Sequence, residues 1–153
     1  MPVFSALARL AGTIAPLTRG MTLGVRGCCI DADGRVFLVR HSYMPGWYLP
    51  GGGIERRETA IEALGRELRE EGGIVLEGAP TLFGVYHNRR RVRDHVLVYV
   101  SRDFGRPNPP RYPNREIAEV GFFDPAALPD DSTPATRRRL AEILHGEALD
   151  PFW

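Results

Sequence analysis

Apolar positions recur in six short runs separated by Gly, Pro, Asp and Asn, a pattern that predicts β-strands joined by turns. The runs cover residues 21–30, 35–41, 47–49, 82–87, 95–101 and 117–123. An acidic loop between the first two runs ends in Asp33 and Gly34, a dipeptide typical of tight hairpin turns. We therefore expect the first two strands to form an antiparallel hairpin. Residues 104–114 carry four prolines and predict a long loop.

The clearest helical pattern covers residues 59–71. Thr59 and Glu62 have the spacing of a capping box, which predicts the start of the helix. Gly72 and Gly73 predict its end. The apolar positions at helical spacing, which we expect to form its buried face, are Ile61, Leu64 and Leu68.

Two other segments have helical patterns. Residues 1–20 predict an amphipathic helical segment in front of the domain. Residues 133–145 predict a C-terminal helix, on which we expect the three arginines at 137–139 to lie on a solvated face. Phe152 and Trp153 follow it, and the sequence leaves open whether they pack on their own domain or across a dimer.

The mixed order of strands and helices indicates an α+β fold, with one domain over residues 21–153. A chain of 153 residues suits one sizeable core. The two cysteines, Cys28 and Cys29, are adjacent, so a disulfide between them is geometrically unfavourable. We expect buried thiols in a reducing cytoplasm. No stretch approaches the roughly 20 apolar residues that a membrane span needs, so we expect no membrane partner.

Charge excludes several functions. The formal net charge is +1, which does not favour binding nucleic acid through the overall field of the protein. All 20 basic residues are arginine, so phosphate-binding loops and Schiff-base sites that depend on lysine are excluded. Any binding of phosphate must therefore use arginine, backbone N–H groups or a metal ion.

Acidic residues crowd the predicted helix 59–71. Glu67 and Glu71 are four residues apart and share one face, with Glu70 beside them, at the edge of the predicted buried face. Three carboxylates within one turn repel each other, and the single guanidinium of Arg66, four residues before Glu70, cannot neutralise them all. Ligands made entirely of oxygen favour Mg²⁺, Mn²⁺ or Ca²⁺ over zinc.

Glycines in the loop that precedes this helix strengthen the interpretation. Gly51, Gly52 and Gly53 allow the backbone to pass close to a ligand. A metal ion bound by glutamates next to a glycine loop is suited to polyphosphate chemistry, because the ion offsets phosphate charge and activates water.

Residues 52–74 resemble the Nudix box, G-x5-E-x7-R-E-U-x-E-E-x-G-U, in which U is a bulky aliphatic residue. The nine matching positions are Gly52, Glu58, Arg66, Glu67, Leu68, Glu70, Glu71, Gly73 and Ile74. The resemblance implies an α/β/α sandwich with a mixed β-sheet. It also implies hydrolysis, dependent on Mg²⁺ or Mn²⁺, of a nucleoside diphosphate linked to another moiety, such as a nucleotide, a sugar or a ribose.

The resemblance also implies roles for individual residues. Those expected to ligate metal are Glu67, Glu71, Glu70 and the carbonyl of Gly51. Those expected to act in catalysis are Glu70, Glu67, Arg66, which orients the glutamates, and Glu116, for which Glu119 is the rival. Glu58 is expected to support the others. Which glutamate accepts the proton of the attacking water stays open.

Substrate contacts are expected at Gly52, Gly53, Tyr48, Arg89 and Arg91. The two arginines belong to a basic turn between two predicted strands, residues 88–94, which we call the arginine tip. It suits phosphate binding, although a solvated loop is an equal interpretation. Tyr48 suits base stacking or core packing, and His41 is a lesser candidate for phosphate contact.

The leading hypothesis is therefore a cytoplasmic enzyme that acts on a small nucleotide. The alternatives are an RNA 5′-pyrophosphohydrolase and a catalytically silent nucleotide sensor. A homodimer stays open.

Overall fold

The computed structural model describes residues 20–91 and 93–153. The predicted helical segment 1–20 therefore lies almost entirely outside the described residues. The strands are β1 (Thr22–Cys29), β2 (Val36–His41), β3 (Trp47–Tyr48), β4 (Val75–Leu76), β5 (Thr81–His87), β6 (Asp94–Ser101), β7 (Phe104–Gly105) and β8 (Ile117–Phe123). The α-helices are α1 (Ala60–Gly72) and α2 (Pro134–His145), and Pro125–Ala127 forms a 3₁₀ turn.

The strands form two three-stranded sheets and one small ribbon. The first sheet has the order β1-β6-β5, in which β1 runs parallel to β6 and β5 runs antiparallel to it. The second sheet has the order β3-β2-β8 and is antiparallel throughout. β4 and β7 pair with each other, so the predicted loop 104–114 begins with a short strand.

The prediction of a hairpin between the first two strands is correct for the turn but wrong for the pairing of the strands. Gly34 donates its N–H to the carbonyl of Asp31, and Ile30 pairs with Val36 through an isolated bridge. The strands then separate into different sheets. The physical reason is that β1 already has a neighbour on each edge. β6 pairs with one edge, and residues 50–54 pair with the other.

Helix α1 begins and ends as the sequence predicts. Thr59 is its N-cap and forms a capping box with Glu62, while Gly73 ends it in the left-handed conformation at φ 66°. The predicted buried face is partly wrong. Ile61 is 51% exposed, whereas Ala63 is fully buried. The buried face is therefore centred closer to Leu64 and Leu68.

The core lies on both faces of the sheets, which confirms the sandwich. Side chains alternate along β2, so that Phe37 and Val39 pack with Leu64 and Leu68 of α1. The alternate residues of β2, Val36 and Leu38, pack on the opposite side with Leu140 of α2. At the first interface Gly27 of β1 allows close packing, because a Cβ there would lie 2.9 Å from Leu68.

Helix α2 departs from the prediction of a solvated arginine face. Arg139 is fully buried, and its guanidinium lies 2.6 Å from Oε1 of Glu142. Arg137 and Arg138 are exposed, as predicted, and Arg137 donates to the carbonyl of Pro129. Trp153 packs into the core near α2, so the C-terminal aromatic residue covers its own domain.

The predicted burial of both cysteines is confirmed, and both are free thiols. Within the described ranges, the helices are too short and too polar to cross a membrane.

Candidate active site

The glycine loop lies against the edge of β1. The N–H groups of Val25 and Gly27 donate to the carbonyls of Gly52 and Pro50, both at 2.8 Å. Gly51 has a φ of 140°, and a Cβ there would overlap the carbonyl of Val25. A side chain at this position is excluded by both strain and contact. The loop backbone is thus fixed next to the last turns of α1.

Glu71 is the most buried of the glutamates near the glycine loop. Its side chain is 4% exposed, and Oε2 accepts a 2.8 Å hydrogen bond from the backbone N–H of Gly51. Burial raises the pKa of its carboxyl to about 7, while the charge of Arg26 opposes this increase. The nearby carboxylates of Glu67 and Glu116 raise the pKa further. A hard cation would favour the ionised form and relieve this repulsion.

Arg66 organises the outer part of the site. Its guanidinium donates to both carboxylate oxygens of Glu58, at 2.8 and 3.1 Å, and to Oε1 of Glu67 at 2.8 Å. It also donates to the carbonyl of Gly53 at 3.0 Å. Burial raises the pKa of Glu67, against the lowering effect of Arg66. The expected orientation of glutamates by Arg66 therefore has a geometric basis.

Gly52 leaves room for the Glu67 carboxylate. A Cβ on Gly52 would overlap both oxygens and the carboxyl carbon of Glu67. This glycine is therefore required by the position of a predicted ligand, and not by its own backbone conformation.

The glycine loop, Glu67 and Glu71 line a cavity of about 300 Å³, whereas Arg66 and Glu58 lie outside its lining. The predicted site residues that line it are Gly51, Gly52, Gly53, Glu67, Glu71, Arg91 and Glu116. They come from the glycine loop, α1, the arginine tip and the segment before β8, so folding unites positions up to 65 residues apart (116 − 51). The rival candidate Glu119 lies outside the cavity lining and pairs with Arg40 at 2.7 Å.

Other predicted residues lie away from the cavity. The side chain of Glu70 is 59% exposed and 3.4 Å from Arg66. Tyr48 donates its hydroxyl to the carbonyl of Pro45 and packs against the core. Arg89 stacks on Phe152, with its guanidinium carbon 3.4 Å from the ring centroid. The roles expected for these three residues stay predictions.

Arg26 also lines the cavity, and sequence reasoning missed it. It is half-buried in β1, and its Nη1 donates to the carbonyls of Leu49 at 3.1 Å and Gly51 at 2.5 Å. The signal was a single charged residue within an otherwise apolar predicted strand. Such a residue must find partners once the strand is buried.

His41 and Tyr43 also line the cavity. His41 is 5% exposed, and neither ring nitrogen finds a hydrogen-bond partner among the described residues. Its Nε2 lies 3.7 Å from Oε1 of Glu71, and burial together with the charge of Arg26 lowers its pKa. Tyr43 is 62% exposed, with its ring 5.2 Å from that of His41.

The donor set fits a hard divalent cation. In the described part of the chain, no three His, Cys, Asp or Glu side chains lie close enough together to ligate one ion by themselves. Mg²⁺ does not require that, since it usually takes one or two carboxylates and completes its shell with water and phosphate oxygens. The crowded carboxylates of Glu67 and Glu71, beside a loop of backbone carbonyls, meet this requirement.

Comparison with known proteins identifies the family. A family model described as the NUDIX domain matches residues 21–143. The chain belongs to the Nudix family. A solved Nudix structure, the MutT NUDIX hydrolase from Burkholderia pseudomallei, is 30% identical with a TM-score of 0.69. The alignment covers 80% of this chain and 97% of that one. The expected Nudix fold is thereby confirmed.

Curated Nudix relatives match over shorter stretches. The RNA pyrophosphohydrolase of Xanthomonas campestris pv. campestris (strain B100) is 49% identical over 45 residues, which are 29% of this chain and 22% of that protein. The MutT-like protein of Streptomyces ambofaciens is 39% identical over 70 residues, which are 46% of this chain and 45% of that protein. The chain thus matches less than half the length of either curated relative.

Proposed function

We propose that this Nudix protein is a metal-dependent pyrophosphohydrolase that cleaves the diphosphate of a nucleoside diphosphate linked to another moiety. The observation that carries the proposal is the convergence of two kinds of charge on one cavity. Glu67, Glu71 and Glu116 supply carboxylates, while Arg26 and Arg91 supply guanidiniums. Carboxylates suit a hard cation, and guanidiniums suit phosphate oxygens.

Glu67 and Glu71 would hold Mg²⁺ or Mn²⁺, with Glu70, Glu116 and the carbonyl of Gly51 as further candidates. When bound, such an ion offsets phosphate charge and lowers the pKa of water in contact with it. The carbonyl of Gly51 already accepts a hydrogen bond from Arg26. Gly51 therefore connects the predicted metal ligands to a phosphate-binding cation.

The protein's own side chains would bind and orient the substrate, and one of them would accept a proton from water. Arg26 and Arg91 hold the oxygens of the phosphate under attack, where negative charge increases in the transition state. A carboxylate among Glu67, Glu71 and Glu116 accepts a proton from the attacking water. The water oxygen forms a bond to phosphorus, and the bridging P–O bond breaks. Its electron pair leaves with the second phosphate group.

The nucleoside end of the substrate would lie near the exposed ring of Tyr43. Tyr48, the aromatic residue expected there from the sequence, is held by Pro45 and the core. Tyr43 lines the cavity and is largely exposed, so its ring can stack on a base.

A substrate panel tests the proposal. Nucleoside triphosphates, ADP-ribose, nucleotide sugars and dinucleoside polyphosphates would be incubated with Mg²⁺, and the products would be identified by ³¹P NMR. The proposal predicts that at least one compound is cleaved into two phosphate-bearing products. Binding of these compounds without any cleavage would contradict it and favour a nucleotide sensor.

Triphosphorylated RNA is a second candidate substrate. The arginine tip is exposed at Arg90 and Arg91, and one partial match is to a protein named RNA pyrophosphohydrolase. Adding a 5′-triphosphate oligoribonucleotide to the panel separates the two candidates. Faster cleavage of the oligomer than of the free nucleotide would favour RNA. A cytoplasmic location and the oligomeric state stay predictions, to be checked by fractionation and light scattering.

A further inference from the structure

The C-terminal tail, residues 147–153, extends the first sheet. The N–H of His87 donates to the carbonyl of Pro151, and the N–H of Trp153 donates to the carbonyl of His87, both at 2.9 Å. Phe152 lies between these bonds and pairs with His87 in parallel. The tail therefore covers the end of β5 at His87, on the edge that β6 leaves free.

A buried ion pair on α2 anchors the tail. Arg139 donates to Glu142 at 2.6 Å, and it donates through Nη1 to the carbonyl of Phe152 at 2.8 Å. Glu142 accepts from the N–H of Asp150 at 2.9 Å and from the hydroxyl of Tyr86 at 2.9 Å. Buried charges are costly unless hydrogen bonds satisfy them, and here the tail backbone supplies two of these bonds. The ion pair that the sequence did not predict thus fixes the tail.

Phe152 connects the anchored tail to the arginine tip. The guanidinium carbon of Arg89 lies 3.4 Å from the centroid of the Phe152 ring. Phe152 is itself half-buried, and the ring of His87 lies 6.1 Å from it. Phe152 of the tail therefore contacts the arginine tip at Arg89.

A tight turn lies between Arg89 and the residue of the tip that lines the cavity. The N–H of Arg91 donates to the carbonyl of Asn88, and the N–H of Arg90 donates to Oδ1 of Asn88, both at 3.1 Å. The side-chain amide of Asn88 also donates through Nδ2 to Oδ2 of Asp94 at 2.9 Å, at the base of the turn. Two residues after Arg89, the side chain of Arg91 lines the cavity with the glutamates.

We propose that Phe152 is a positioning residue for substrate binding, which acts by stacking on Arg89 and so fixes the tip that presents Arg91. The inference rests on the proposed function, since Arg91 is proposed to bind substrate phosphate. It assigns Arg89 a different task from the direct phosphate contact expected from the sequence. It also connects the buried ion pair Arg139–Glu142 to substrate binding, because Arg139 holds the backbone of Phe152 in place.

The first test replaces Phe152 with Ala in the full chain and measures kcat and KM with the best substrate of the panel. The stack is a partly exposed cation–π contact, so KM should rise about two- to fivefold while kcat stays nearly constant. Phe152→Tyr keeps an aromatic face and should restore KM. Phe152→Leu keeps apolar volume without the ring and should not restore it.

Arg89 provides a double-mutant test. Arg89→Ala should raise KM as Phe152→Ala does, and the double variant should be no worse than either single variant. An additional increase in the double variant would mean that Arg89 binds substrate directly, and would overturn the inference. Leu149→Ala is a matched control in the same tail. Leu149 is exposed and lines a separate cavity beside β5, so its removal should leave KM within twofold.

Hydrogen exchange separates this inference from the proposed function. Amides of residues 88–91 should exchange about two- to fivefold faster in Phe152→Ala than in the unsubstituted protein, whether or not any substrate is cleaved. Unchanged exchange at the tip, or an unchanged KM, would overturn the inference. If no compound is cleaved but exchange increases, the proposed function fails while the contact between tail and tip stands.

Discussion

The backbone N–H of Gly51 donates a 2.8 Å hydrogen bond to Oε2 of Glu71. This contact joins the glycine loop to the last turn of α1 across 20 residues of sequence. It holds the glycine loop against the most buried glutamate that lines the cavity. Preorganisation of this kind reduces the reorganisation that catalysis would otherwise require.

Ionisation of Glu71 should destabilise the metal-free protein. Burial raises its pKa from 4.5 to about 7, so between these values the folded protein binds a proton that the unfolded chain releases. The stabilising contribution is full below about pH 4.5 and is lost as pH rises through about 7. Glu71→Gln removes this dependence. In EDTA, the variant should gain on the order of 1–3 kcal/mol relative to the parent between pH 5 and pH 8.

Urea unfolding at pH 5 and pH 8 measures this difference. The comparison is between the free energies of unfolding of the two proteins at each pH, so contributions from other carboxylates cancel. Parallel changes in both proteins would show that Glu71 does not carry the raised pKa.

Gly52→Ala should weaken metal binding without unfolding the protein. The added methyl would overlap the carboxylate of Glu67, whose side chain must then move. We expect Mn²⁺ affinity, measured by electron paramagnetic resonance, to fall about tenfold or more, as loss of an oriented ligand typically causes. Gly53→Ala is the matched control, because a Cβ there meets nothing within 4 Å. Equal Mn²⁺ affinities in the two variants would contradict the prediction.

Local features of the fold were predictable because neighbouring residues determine them. Thr59 with Glu62 and the terminal Gly73 mark the ends of α1, and the structure confirms both. Strand pairing was less predictable. The turn before Gly34 forms, but residues 50–54 occupy the edge of β1 that a hairpin would need. Competition between distant segments for one strand edge leaves no local signal.

Arg26→Met should impair catalysis more than Arg26→Lys. Methionine removes the charge in the cavity and both hydrogen bonds to the glycine loop, whereas lysine keeps the charge. We expect kcat/KM to fall about 10- to 100-fold for methionine, the range of a lost charged hydrogen bond. Arg40→Met is the control, since Arg40 pairs with Glu119 outside the cavity and should change kcat/KM by less than about twofold. Similar losses in Arg26→Met and Arg40→Met would contradict a role for Arg26 in the site.

The parts of the candidate site that depend on short spacings within one helix were predictable from the sequence. Glu67 and Glu71 share one helix face, and both line the cavity. Arg26 and Tyr43 reach it through strand and turn geometry, which sequence spacing does not specify. Arg139 shows the same limit. Its position among three arginines suggested solvent, whereas in the fold Arg139 contacts Glu142 of the same helix and the carbonyl of Phe152 in the C-terminal tail.

One series of assays can show whether diphosphate cleavage requires both a divalent metal ion and the buried carboxylate of Glu71. The rate of pyrophosphate cleavage would be measured on the best substrate in Mg²⁺, after treatment with EDTA, and in Glu71→Gln with Mg²⁺. We expect cleavage in Mg²⁺ and a loss of rate of about 100-fold or more both in EDTA and in Glu71→Gln. Cleavage at the unsubstituted rate in EDTA, or by Glu71→Gln, would contradict this expectation.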